Sequence, residues 1–242
     1  MTIEERISEF EKTHAAVIAY GGDGTVLDAV KKHGMRKAVI PVRNYCLCQK
    51  HKDFLDKLLD DTLETKLKLS LCPFLKWMSK DHMLSGQGIA EVTLKSADST
   101  CAVRFNLYVD SSLYMKNVIA DGIVLSTAYG STGYFKSVAR CIFSSDSIGA
   151  AFIAPSQGIN NVIVDSKSKL TVEILRDADI IMTADKDIEH FYARKGEIIA
   201  VERIPEQASL LGLDEFHCQE CRALRHSTIE DGIAVQDKYA KI

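Results

Sequence analysis

No apolar run in this 242-residue chain is long enough to cross a bilayer. The longest resemble Ala15-Ala16-Val17-Ile18-Ala19-Tyr20, whereas a helical span needs about 20 such residues. There is no basic excess either. Lys and Arg number 30 against 33 Asp and Glu, for a formal net charge of -3, which argues against a nucleic-acid groove. No acidic block marks a solvated tail, and no internal repeat or low-complexity tract stands out. The start, Met1-Thr2-Ile3-Glu4-Glu5-Arg6, lacks the basic opening and apolar stretch of a signal peptide. The expected location is therefore the cytoplasm, with no membrane partner. The cysteines are odd in number, seven, and scattered, as reduced thiols are. Cys46-x-Cys48 and Cys218-x-x-Cys221 are the close pairs. His217 and His226 flank the second, but a structural zinc needs four ligands at compatible spacing. This spacing fits no standard pattern, so no metal ligand is assigned.

What is present is an ordinary globular composition, 46% hydrophobic and 26% charged, with enough length for one large or two modest cores. Ile3, Ile7 and Phe10 recur at helical spacing, with Thr2 as a candidate N-cap. His14 to Tyr20 is continuously apolar, as in a strand buried on both faces of a parallel sheet. A short helix is expected over 26–33, stopped by Gly34, then a strand over 37–42 and a helix over roughly 51–64. This alternation predicts an α/β N-terminal domain with a Rossmann-like parallel sheet. From about residue 66 the texture turns strand-like. Val103, Phe105, Leu107 and Val109 alternate, Asp110-Ser111-Ser112 reads as a turn, and Leu113 to Val118 reads as the returning strand. Further strands are expected at 150–154, 161–164, 170–175, 180–183 and 197–204. Helices are expected at about 133–143 and 216–224. The predicted organisation is an α/β domain over 1–80, a β-rich sandwich-like domain over 81–205, and a tail, 206–242, available to pack back.

Two segments carry chemistry. Gly21-Gly22-Asp23-Gly24-Thr25 follows the first buried strand directly. Glycines there allow unusual backbone angles and let N–H groups approach an anion unobstructed, and a helix N-terminus behind them favours phosphate. Asp23 among phosphates calls for a cation or a substrate hydroxyl beside it, which makes it a candidate base or magnesium contact. The blander alternative is a tight turn whose Asp caps the next helix. The spacing matches neither the dinucleotide fingerprint nor the Walker pattern. The second segment runs from Asp121 to Tyr134. A buried strand enters a turn rich in Ser, Thr and Gly, including Thr132 and Gly133, and a helix follows. Hydroxyls at a helix start either cap it or bind ribose and phosphate oxygens. Tyr129 and Tyr134 offer flat surfaces to a base.

Together the two segments resemble the NAD kinase family, which carries G-G-D-G-T after an N-terminal strand and, well downstream, a segment close to D-G-L-I-V-S-T-P-T-G-S-T-A-Y. The second matches here at Asp121, Gly122, Ser126, Thr127, Gly130, Ser131, Thr132 and Tyr134. The resemblance covers about residues 15–205 and implies an NAD kinase-like fold. It also implies transfer of a phosphoryl group from ATP or polyphosphate to the ribose 2′-hydroxyl of NAD, giving NADP. Asp23 would activate that hydroxyl. Gly21, Gly22, Gly24 and Thr25 would hold donor phosphates with Mg2+. Glu91, Asp121, Thr132, Tyr134 and Ser137 fall on family positions that contact NAD, and some such contacts come from a neighbouring subunit, which implies a homodimer or homotetramer. The departures lie around the NAD pocket. Ala90 stands where the family has Asn, Asp185-Lys186 where it has D-G, and Ala154-Pro155-Ser156 where it has S-P-H. Pro41 to Cys48 lacks the family's N-x-G-x-L-G-F-L run. They motivate two alternatives: a kinase for another nucleotide acceptor, and a member that binds NAD or NADP without turnover. Lipid kinases share G-G-D-G-T but continue with an Asn-Gly pair where this chain has Lys31 to Gly34.

Overall fold

A capping box opens the chain. Thr2 Oγ1 accepts the Glu5 N–H at 3.2 Å while Glu5 Oε2 accepts the Thr2 N–H at 2.8 Å, satisfying two N–H groups that the helix itself leaves unpaired. Helix α1 (Ile3–Thr13) follows. Then come β1 (Ala16–Tyr20), α2 (Asp23–His33), β2 (Ala38–Val42) and α3 (Phe54–Leu59). The strands β3 (Leu69–Ser79), β4 (Ser85–Gly88), β5 (Glu91–Ser96), β6 (Val103–Val109), β7 (Ser112–Ala120) and β8 (Gly122–Thr127) lead to α4 (Tyr134–Ala139). The chain continues through β9 (Ser147–Ile153), β10 (Val162–Asp165), β11 (Leu170–Ile174), β12 (Ala178–Ala184), β13 (Asp187–Ala193) and β14 (Ile198–Leu211) to α5 (Leu213–Phe216). This computed structural model describes residues 1–44, 53–64, 66–81, 83–144 and 146–218.

Two compact units result: Met1–Leu71 with the chain from Ala208 onward, and Cys72–Gln207. In the first, β1 and β2 are parallel and in register from Ala16↔Ala38 to Tyr20↔Val42. The end of β14 runs parallel beside β2, pairing Leu210 with Val39. Ala16, Ile18, Ile40 and Val42 form a core with Leu55 and Leu58 of α3, and Ile7 and Phe10 of α1 pack against it. The apolar spacing in α1 thus aims one stripe at the sheet.

The second unit is antiparallel. One sheet has the order β10-β9-β8-β5-β12-β13. The other joins β14, β11, β6 and β7, with β3 and β4 branching from β14. Both contribute inward residues to one core: Leu94, Ile123, Leu125 and Met182 from the first, and Trp77, Phe105, Leu107, Val172 and Val201 from the second. The unit is a β-sandwich. Helix α4 lies on the outer face of the first sheet, where Phe135 and Ala139 pack on Val124 and Ala151. Strand β8 is therefore buried on both faces, which accounts for the apolar run Ile123-Val124-Leu125.

The β6–β7 hairpin turns at Asp110 and Ser111, whose φ angles are 50° and 68°. Positive φ at both central residues is what a tight hairpin of this twist requires. Several boundaries differ from expectation. Helix α2 begins at Asp23, not Val26, because Gly22 is its N-cap and the Thr25 and Val26 N–H groups already donate to Gly22 O. Helix α3 spans only Phe54–Leu59 of the expected 51–64, and residues 51 and 52 lie outside those described. Helix α4 stops at Ala139 because Arg140 takes a left-handed conformation, φ 59°. Strand β14 continues past 204 to Leu211. The helix expected at 216–224 is the short α5, ending at Phe216, and residues 219–224 lie outside those described.

Candidate functional site

The parallel pairing of β1 and β2 sets the candidate site of the first unit. Both strands end at the same level, and the Gly21 N–H donates to Val42 O at 2.8 Å. The chain then turns at once into α2. A Cβ on Gly21 would lie 2.3 Å from Thr25 Oγ1 and 2.9 Å from Thr25 Cβ, so the turn is too tight for a side chain. Gly22 supplies no side-chain cap to α2, which leaves the first helical N–H groups to an external acceptor. Asp23, Gly24 and Thr25 are exposed. The expected loop is thus the first turn of a helix, with Asp23 on its first residue.

Asp23 has close company. Arg43, the residue after β2, places Nη2 3.0 Å from Oδ1 and Nη1 3.3 Å from Oδ2. His217 Nε2 lies 3.7 Å from Oδ1. The nearby His217 ring and the charge of Arg43 outweigh partial burial and hold the Asp23 carboxyl down at about 2. Arg43 in turn lies over the face of Phe216, 3.8 Å from the ring centroid, and Phe216 is buried. Asp23 also bears on the implied magnesium. That ion is commonly held by one or two carboxylates together with substrate phosphates. Asp23, a single exposed carboxylate on the first turn of α2, is of the chemical type such a site uses. Among the described residues no three His, Cys, Asp or Glu side chains gather for a metal. Cys221 and His226 lie outside those residues.

In the second unit a separate group of candidate residues is built where β5 and β8 run side by side, with Glu91 opposite Ser126. Ser126, Thr127 and Ser131 are fully buried. Their hydroxyls turn inward: Ser126 to Ala90 O at 3.1 Å, Thr127 to Ile89 O at 2.5 Å, and Ser131 to Ala128 O at 2.8 Å. These hydroxyls hold the backbone and are not offered to ligand. Asp185 completes the frame, accepting the N–H groups of Ile89, Ala90 and Glu91 at 2.8, 2.9 and 3.1 Å. Burial and the nearby Asp185 charge push the Glu91 carboxyl up to about 7. Ala90, in place of the family's Asn, is buried.

The candidate residues divide accordingly. Thr132, Gly133 and Ser137 are exposed, and Tyr129 and Tyr134 are half-buried. Glu91 lies beside Gly133, its Oε2 4.0 Å from where a Cβ on that glycine would stand. Lys95 lies over the Tyr134 ring, 4.4 Å from its centroid. Asp121 is exposed at the start of β8, next to Gly122, which pairs with Lys95. Ser137 follows Tyr134 by one helical turn. Lys95, Arg43 and Phe216 are additions the sequence reading missed, and Asp185 and His217, noted there as a family departure and beside the cysteine pair, take structural roles it did not foresee. Arg43 had a usable signal: with β1 and β2 parallel, the residue after β2 must stand beside the residues after β1.

Residues 89–213 match the family described as the ATP-NAD kinase C-terminal domain, just over half of the chain. The chain belongs to the NAD kinase family. The match takes in Glu91, Tyr129 to Ser137 and Asp185, and leaves the Gly21–Thr25 turn outside it. An NAD kinase of Pseudomonas putida is 28% identical over 223 residues, covering 85% of this chain and 73% of that protein. A bifunctional NADP phosphatase/NAD kinase of Methanococcus maripaludis is 27% identical over 213 residues, covering 83% of this chain and 37% of that one. Among solved structures, a yeast NADH kinase complexed with NADH superposes with a TM-score of 0.69 at 18% identity, covering 82% of this chain and 62% of that one. An NAD kinase from Archaeoglobus fulgidus in complex with ATP also gives 0.69, at 19% identity, covering 89% and 90%. At those identities the structures speak for the NAD kinase fold.

Proposed function

We propose that this chain is an NAD kinase-like phosphotransferase, moving the terminal phosphoryl group of ATP or polyphosphate to the ribose 2′-hydroxyl of NAD to give NADP. The observation that carries the reading is Asp23: an exposed carboxylate on the first turn of an uncapped helix, in a chain of this family. The turn at Gly21 to Thr25 receives donor phosphates on backbone N–H groups. Asp23 accepts the proton of the attacking hydroxyl. Phosphoryl transfer asks mainly for positioning and charge neutralisation, so few reacting side chains suffice. A divalent metal arriving with the donor would neutralise charge on the phosphate oxygens, with Asp23 the residue to hold it.

The dinucleotide falls to the second unit. Glu91 faces ribose hydroxyls, Tyr129 and Tyr134 lie against a ring, and Thr132, Gly133, Ser137 and Asp121 line the remainder. The buried Ser126 and Thr127 and the half-buried Asp185 keep Glu91 in place. A cytoplasmic homodimer or homotetramer completes the reading, in keeping with the family's shared sites. The test is direct: pure protein with NAD, ATP and Mg2+, assayed by NADP-specific enzymatic cycling. Steady NADP formation is expected, and its absence with both ATP and polyphosphate overturns the assignment.

A further inference from the structure

We propose that Arg43 is the donor-phosphate-binding side chain of this site, seated on Phe216 and parked on Asp23 until a polyphosphate chain takes it. The inference rests on the phosphate-binding reading of the Gly21–Thr25 turn and adds a residue to it.

Two positive features converge on one carboxylate, the N-terminus of α2 and the Arg43 guanidinium, and the His217 ring stands 3.7 Å from it. Arg43 Nη1 comes within 3.8 Å of where a Cβ on Gly22 would stand, so the fork already borders the backbone that would cradle phosphate. Its side chain is 20% exposed, whereas that of Asp23 is 63% exposed. The aspartate can therefore be approached from solvent while the arginine is anchored behind it. The anchor is a stacked one. Phe216 is 4% exposed, and a guanidinium lying flat on an aromatic face keeps its planar fork free. Arg Nε also points at Phe216 O, 3.5 Å away.

A triphosphate carries several negative charges and oxygen pairs spaced for a bidentate guanidinium, so it competes strongly with one carboxylate for the fork. Transfer of the fork from Asp23 to the donor would do two things. It would place a cation on the phosphate chain, and it would free the Asp23 oxygens that must meet the acceptor hydroxyl. Arg43 is thus a donor-binding residue that also positions Asp23.

Calorimetry with inorganic tripolyphosphate tests this without needing an acceptor. Wild-type protein should bind it. Arg43→Ala should bind at least tenfold more weakly, Arg43→Lys should recover part of the loss, and Arg6→Ala, a cation bound elsewhere to Asp56 and Asp60, should match wild type. In turnover, Arg43→Ala should raise the donor KM while leaving the NAD KM unchanged. Unaltered tripolyphosphate binding by Arg43→Ala overturns the inference alone. A fall in kcat with donor KM unmoved does the same, since it marks a role through Asp23 only. Failure of wild type to bind overturns the phosphate-loop reading along with it. Should Arg43→Ala melt early, Phe216→Leu keeps the charge and removes the platform, and the same tenfold criterion applies.

Discussion

Arg43 meets Asp23 with both arms of its fork: Nη2 stands 3.0 and 3.2 Å from the two carboxylate oxygens, and Nη1 stands 3.3 Å from one of them. The pair joins the residue that follows β2 to the first residue of α2. It is possible because β1 and β2 are parallel and end together.

Replacing Asp23 by Asn keeps the shape of that contact and removes the base. If Asp23 takes the hydroxyl proton, kcat should fall by roughly 10²–10⁴-fold, the usual contribution of a positioned acid–base group. Tripolyphosphate binding should persist, because the backbone N–H groups and Arg43 remain. Initial rates with NAD and ATP, beside calorimetry on the same preparation, separate the two. Turnover within a fewfold of wild type would take the proton-accepting role away from Asp23.

The same pair should leave a mark on acid stability. Asp23 is held at about 2, by His217 first and then by Arg43, against an ordinary value of 3.8. A depressed folded-state value means the contribution is complete above pH 4 and is lost as pH falls through about 2. The carboxylate is exposed, so the effect is small. Melting temperatures of wild type and Asp23→Asn should differ by a constant amount from pH 4 upward and converge toward pH 2. A gap that stays constant down to pH 2 would mean that the ion pair does not stabilise the fold.

How far the sequence could lead is clear from these residues. The place of Asp23 at an exposed turn between strand and helix was legible, because three glycines around an acid directly after a buried strand mark a tight turn. The parallel pair was legible from the alternation of apolar runs and helical spacing, and so was the Asp110-Ser111 hairpin. Phe216 and His217 were not, and Arg43 was legible only through the parallel pairing of β1 and β2. They are brought together by a strand return between residues far apart in the chain, and nothing local to residue 216 announces a partner at 43. The Ser and Thr of the second segment were read as hydroxyls that either cap a helix or bind ligand oxygens. Ser126, Thr127 and Ser131 instead spend their hydroxyls on backbone carbonyls, because β8 is covered on both faces and a buried hydroxyl must find a partner. Periodicity reported the burial of β8 but not what its hydroxyls would bond.

Glu91 gives a stability signature of the opposite sign. Burial, then the Asp185 charge, raises its carboxyl from 4.5 to about 7. A raised folded-state value means the native protein holds an extra proton between those limits. The contribution is fully present below pH 4.5 and is lost as pH rises through about 7. Glu91→Gln removes the titration. Above pH 7 the variant should be more stable than wild type, by on the order of 1–3 kcal/mol, with the advantage vanishing near pH 4. Urea unfolding at pH 4, 6 and 8 measures it. The same variant should weaken NAD binding if Glu91 faces the ribose hydroxyls, so greater stability and poorer binding should appear together. A variant no more stable at pH 8 than at pH 4 would remove the strain assigned to this carboxyl.

Gly130 brings the 3-10 turn Gly130–Thr132 against Ala90, the residue before β5. A Cβ there would lie 2.0 Å from Ala90 O and 2.4 Å from Ala90 C. Both are backbone atoms, and they cannot swing aside as a flexible side chain would. Ala90 O is also held from the other side, accepting the Thr127 N–H at 3.0 Å and the Ser126 hydroxyl at 3.1 Å. Gly130→Ala must therefore push the 3-10 turn Gly130–Thr132 away from β5 or drag the 89–91 segment off Asp185. Either route breaks hydrogen bonds in addition to the steric cost, and overpacking alone typically costs about 1–3 kcal/mol. The expected result is a loss of at least about 2 kcal/mol in urea unfolding, with NAD binding impaired because Glu91 and Tyr134 shift relative to one another. Tripolyphosphate binding should survive at a temperature where the variant is still folded, since the turn at Gly21 to Thr25 belongs to the other unit. Unfolding and NAD binding both unchanged would show that the turn and β5 tolerate separation, and that the close approach at Gly130 is not what sets the geometry of Glu91.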